Sequence, residues 1–86
     1  MRLLIVEDDN SIARRIEVTC VSDGLSCHIA ENGSDALEMI KFYDYDAVIL
    51  DLLLPDIDGF EILSRIRAIK NNTPVIILSG LNSTDD

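Results

Sequence analysis

The 86 residues carry sixteen acids against seven lysines and arginines, a formal charge of −9 at pH 7. That balance repels nucleic-acid phosphates and anionic lipid surfaces, so it argues against direct nucleic-acid or membrane binding by this chain. The length suits one domain, residues 1–86, with a modest core, and the two cysteines, Cys20 and Cys27, have neither the density of a disulfide scaffold nor zinc-ligand spacing; they read as reduced apolar residues of a cytoplasmic protein.

Along the chain, short apolar runs alternate with amphipathic stretches. Residues 3–6 are a continuous aliphatic run, as expected of a parallel strand covered on both faces, and four apolar residues are too few for a signal peptide or a membrane span. Three acids, Glu7, Asp8 and Asp9, follow directly. Ile12, Ile16 and Cys20 then recur at helical spacing, with Asp9 or Asn10 as N-cap and Asp23 and Gly24 as the stop. Residues 26–30 mix polar and apolar side chains in the alternation of an edge strand, where His28 reads as a solvated surface residue without a partner. Asn32, Gly33 and Ser34 introduce a second helix that turns Ala36, Leu37 and Ile40 inward and stops near Tyr43 and Asp44, with Tyr43 and Tyr45 as loop packing. Residues 47–50 are the third strand, and Asp51 ends it. A third helix from about 58 to 70 directs Ile62, Leu63, Ile66 and Ile69 at the sheet, and residues 75–78 form the fourth strand after Pro74.

The order βαβαβαβ predicts an α/β fold: a doubly wound parallel sheet with right-handed crossovers, whose ligand site lies beyond the carboxyl ends of the strands. If strands one and three are neighbours, Glu7, Asp8, Asp9 and Asp51 converge at that rim. Like charges so close raise one another's pKa values or demand a cation, and oxygen ligands of this kind suit Mg²⁺ better than zinc. Ser79 ends strand four at the same rim. Each part alone has a bland reading: Asp9 as a helix cap, Asp51 as a turn cap, Pro55 and Gly59 as turn residues. Arg14, Arg15, Arg65 and Arg67 read as solvated helix faces. Jointly, the acids, the metal and the hydroxyl suit the handling of a phosphoryl group.

The segments "LLIVEDD", "VILDLLLPDIDG" and "TPVIILSG" resemble the signature segments of response regulator receiver domains, flavodoxin-like in fold, and the longer phrases "YDYDAVILDLLLPDIDGFEIL" and "NNTPVIILSG" further resemble OmpR-like transcription factors. The resemblance implies the strand order 2-1-3-4, with a fifth strand expected beyond. It implies Asp51 as phosphoacceptor, taking the group from a histidine kinase or histidine phosphotransfer protein. Glu7, Asp8 and Asp51 would hold Mg²⁺, with Leu53 lending its backbone carbonyl, and Ser79 would be the hydroxyl that turns to the phosphoryl group. Leu53 and Leu81 would flank the path of attacking water.

The sequence stops at Asp86, where the family continues with a helix, a fifth strand carrying a lysine nearby, and a final helix. The chain is therefore read as the N-terminal part of a receiver domain. With strand five missing, the run 75–78 becomes an uncharged edge, and a homodimer or swapped oligomer is expected. A phosphatase of the haloacid dehalogenase type also uses a strand-end aspartate with Mg²⁺, but wants a second acid where Leu53 stands. A pseudo-receiver, docking partners without phosphorylation, is the alternative.

Overall fold

The computed structural model describes residues 1–70 and 72–78, so Ser79 and Leu81 lie outside the described residues. The elements run β1 (Arg2–Val6), α1 (Asn10–Ser22), β2 (Ser26–Ala30), α2 (Gly33–Phe42), β3 (Ala47–Asp51), α3 (Gly59–Ile69) and β4 (Val75–Leu78). The four strands are parallel in the order β2-β1-β3-β4. The expected alternation and sheet order are both present, and β1 and β3 are neighbours at the centre.

Register explains the two-sided core. Leu4 stands opposite His28 and Val48, and Val6 opposite Ala30 and Leu50. Side chains alternate across a sheet, so these positions share one face. There they pack with Ala36, Leu37 and Ile40 of α2 and Ile62 and Ile66 of α3, all but Leu37 almost wholly buried. Burying each Leu, Ile or Val among them contributes about 1.5–3 kcal/mol. Leu3, Ile5 and Cys27 occupy the opposite face, where α1 packs through the buried Ala13.

The helix ends follow from local chemistry. Asp9 is the N-cap of α1, its Oδ1 accepting from the N–H groups of Ser11 and Ile12 at 2.9 and 3.2 Å. Gly24 ends the same helix region with φ +87°, a left-handed conformation that glycine adopts without steric cost. Asn32 caps α2 by accepting from the Asp35 N–H at 2.8 Å. Glu61 in the first turn of α3 and Arg67 in its last complement the helix dipole.

Two sequence expectations need correction. Ile69 is 38% exposed, because the packed face of α3 ends at Ile66. His28 is not a solvated residue without a partner: its Nδ1 lies 2.7 Å from the Tyr45 hydroxyl, and its ring meets Tyr43 edge to face. Tyr45 is buried, so its hydroxyl needs a partner in the protein, and His28 of the edge strand β2 supplies one. No helix among the described residues is long and apolar enough to cross a membrane.

Candidate functional site

The β1–β3 pairing carries the acids to one place. Val6 is opposite Leu50, so the chain beyond β1 and the end of β3 leave the sheet side by side, bringing Glu7 and Asp8 to Asp51. One carboxylate oxygen from each lies within 4.8 Å of the others. Glu7 is buried, Asp8 exposed and Asp51 intermediate. The site thus has a closed floor and an open mouth.

The floor is electrostatically frustrated. Burial, the hydrogen bond to Asp51 and the charges of Asp51 and Asp8 together push Glu7 up from 4.5 to about 7, although the Asp9 N–H, 3.1 Å from Glu7 Oε2, opposes the rise. The carboxyl of Glu7 therefore holds a proton against Asp51 where a cation would otherwise neutralise the group. Three hard oxygen donors, one of them buried with no basic partner among the causes of its shift, fit a divalent ion such as Mg²⁺.

The loop after β3 is fixed at both ends. Asp51 Oδ1 accepts the Leu53 N–H at 3.0 Å, so the turn-capping reading of Asp51 is correct and coexists with its place among the acids. Farther along, Asp56 reaches α2: its two oxygens accept the N–H groups of Gly33 at 2.8 Å and Ser34 at 3.0 Å. Those bonds hold the Asp56 carboxyl below the usual carboxylate range. Gly59, the first residue of α3, lies against the backbone of Leu52, where any Cβ would stand 2.5 Å from the Leu52 Cα. Glycine is required here by close approach rather than by backbone angle.

Of the residues singled out by sequence, Glu7, Asp8 and Asp51 come together. Asp9 turns away to cap α1. Leu53 stands two residues beyond Asp51 and is 60% exposed. The expectation for Ser79 lies outside the described residues. The arginines of the helix faces make exposed pairs, Arg14 with Glu17 and Arg65 with Glu61. Sequence reasoning missed Asp56, whose hydrogen bonds cross 23 and 22 residues to α2 and leave no local pattern.

Comparison with known proteins gives a consistent result. Residues 3–86 match the family model described as the response regulator receiver domain. The cell cycle response regulator CtrA of Brucella ovis is 41% identical over all 86 residues, and the chain spans 37% of that protein's length. Among solved structures, the receiver domain of a sensor histidine kinase from Pseudomonas aeruginosa PAO1, described with a magnesium ion coordinated in its active site cleft, superposes with a TM-score of 0.88 at 29% identity, over 99% of this chain and 71% of that one. A chain from the complex of histidine kinase ThkA with response regulator TrrA superposes with a TM-score of 0.87 at 32% identity, over 99% and 74%.

Proposed function

We infer the function from one premise: this chain belongs to the family of response regulator receiver domains. It is a receiver domain of two-component signalling. We propose that residues 1–86 act as one receiver unit in which Asp51 accepts a phosphoryl group from a phosphohistidine of a histidine kinase or phosphotransfer protein. A carboxylate oxygen of Asp51 attacks phosphorus, the P–N bond breaks, and the departing imidazole keeps the electron pair and takes up a proton. The observation that carries this reading is the convergence of Glu7, Asp8 and Asp51 within 4.8 Å at the end of the central strands.

Glu7, Asp8 and Asp51 would hold Mg²⁺, with the Leu53 carbonyl as a further ligand; the ion supplies neutralisation of the charge that spreads over the transferring oxygens. The Pseudomonas receiver with magnesium in its cleft supports that assignment, and the kinase complex containing TrrA supports the class of partner. Ser79 is the hydroxyl that responds to the phosphoryl group. Likeness to CtrA supports a transcriptional output in the whole protein, exerted in the cytoplasm by parts other than this acidic chain.

The test is incubation with acetyl phosphate and Mg²⁺ followed by intact-mass measurement. The expected result is one added phosphoryl group on the wild type and none on Asp51→Asn. Equal labelling of both would remove Asp51 from the role, and no labelling of either would leave a docking module that works without phosphorylation.

A further inference from the structure

At the end of the molecule away from the acids, two cysteines come from adjoining elements, Cys20 from α1 and Cys27 from β2. Cys20 lies in the last turns of α1 on the face that carries Ala13 and Ile16, the face turned to the sheet. Cys27 is opposite Leu3 in the β1–β2 register, on the side of the sheet that α1 covers. The chain between them is folded tightly: the N–H groups of Asp23 and Leu25 both donate to the Cys20 carbonyl, at 3.1 and 3.0 Å, and β2 starts at the next residue. Helical phase, strand register and turn therefore bring both cysteines to the same gap between α1 and β2, close enough for the Cys20 thiol to act on that of Cys27. Both are free and neither is fully buried, so a small solute can reach them.

We propose that Cys20 and Cys27 form a redox-modifiable dithiol that closes to an intrachain disulfide when a hydroperoxide reaches it. The Cys20 sulfur attacks the peroxide oxygen, the O–O bond breaks, and the leaving oxygen departs as water or alcohol with the Cys20 proton. This leaves a sulfenic acid on Cys20. The Cys27 sulfur then attacks the Cys20 sulfur, the S–O bond breaks, and hydroxide leaves as water with the Cys27 proton. Two thiols are oxidised by two electrons and one hydroperoxide is reduced.

The order of attack follows from the surroundings. Burial, the neighbouring Cys20 thiol and the Glu17 carboxylate push the Cys27 thiol up to about 11, so Cys27 is a poor first nucleophile. It is well placed for the second step, which is intramolecular. Closing the bond brings the sulfurs to about 2.05 Å and ties the end of α1 to the start of β2. A single acid at the acceptor rim is not involved, so the proposal is independent of the phosphoacceptor reading.

The experiment treats the 86-residue chain with hydrogen peroxide, denatures it, alkylates free thiols and maps the peptides by mass. The expected product is monomeric, lacks both alkylation sites, is lighter by two hydrogens, contains a Cys20–Cys27 linked peptide, and returns to the starting mass with dithiothreitol. Cys20→Ser and Cys27→Ser should each abolish it, the latter accumulating the sulfenic acid. Retention of both alkylatable thiols overturns the proposal, as does a product consisting only of interchain disulfides or sulfinic acid. The wild-type peptide map decides this without reference to how the variants fold.

Discussion

The Gly59 Cα and the Leu52 backbone touch so closely that a Cβ on Gly59 would stand 2.5 Å from the Leu52 Cα and 3.0 Å from its carbonyl oxygen. Leu52 directly follows Asp51, so the start of α3 rests on the backbone of the proposed acceptor loop. The nearest atom is backbone, so rotation of the Leu52 side chain, whose Cδ2 would stand 2.7 Å away, cannot by itself relieve the contact. Gly59→Ala should therefore cost about 1–3 kcal/mol, the usual range for overpacking, and should displace the loop. Urea unfolding gives the first figure; an unchanged midpoint would show that the helix start can move away freely.

Mg²⁺ should stabilise the chain, by about 2.7 kcal/mol at a hundredfold excess over its dissociation constant. Asp51→Asn should blunt the response. Glu7→Gln should do so too, yet raise the melting temperature in chelator at pH 8. The sign follows from Glu7: burial raises its folded pKa from 4.5 to about 7, so the folded state binds the proton more tightly than the unfolded chain. Without a cation, the contribution of Glu7 to stability is best below 4.5, declines as pH rises, and is fully adverse above about 7, by something on the order of 1–3 kcal/mol. A melting temperature of the wild type indifferent to Mg²⁺ would count against the shared site.

Asp56 has the opposite sign. Its folded pKa lies below the ordinary 3.8, chiefly through the Gly33 N–H and then the Ser34 N–H, so it stabilises the fold above 3.8 and the benefit disappears as pH falls through the lower folded value. Asp56→Asn should lower stability at neutral pH and flatten the acid limb of the melting curve below pH 4. If the variant and the wild type lose stability in parallel through that range, the Asp56 bonds do not couple the loop to α2.

The lifetime of the phosphoryl group gives a further test. Leu53 is apolar and stands two residues past Asp51, where it cannot orient water for attack. Leu53→Asn should shorten the lifetime of phospho-Asp51, measured by release of inorganic phosphate. An unaltered rate would mean that the side chain at this position has no part in hydrolysis.

The parallel sheet was legible because β1, β3 and β4 are written as unbroken aliphatic runs and the helices as periodic ones. Placement of Glu7, Asp8 and Asp51 followed from adjacency of β1 and β3, the one non-sequential pairing on which that part of the reading depended. Asp9 illustrates the limit: one acid among three consecutive ones goes to a helix cap, and only the side-chain geometry separates it from its neighbours. The His28–Tyr45 bond was illegible for a different reason, since the tip of an edge-strand residue meets that of a loop residue 17 positions later. Tyr45→Phe should cost about 1 kcal/mol, the usual net value of such a bond.

The reach of Asp56 back to Gly33 also bears on the order in which the chain folds. Asn32 can cap α2 locally, but the Gly33 and Ser34 N–H groups acquire their partner only after β3 has formed and its loop has come round, 23 residues later. Closing a loop of that length is an entropic cost met late. Asp56 should therefore have a φ-value near zero, so that its removal accelerates unfolding and leaves the folding rate almost unchanged. A carboxylate outside the acidic rim thus sets how long the native state survives rather than how fast it is reached.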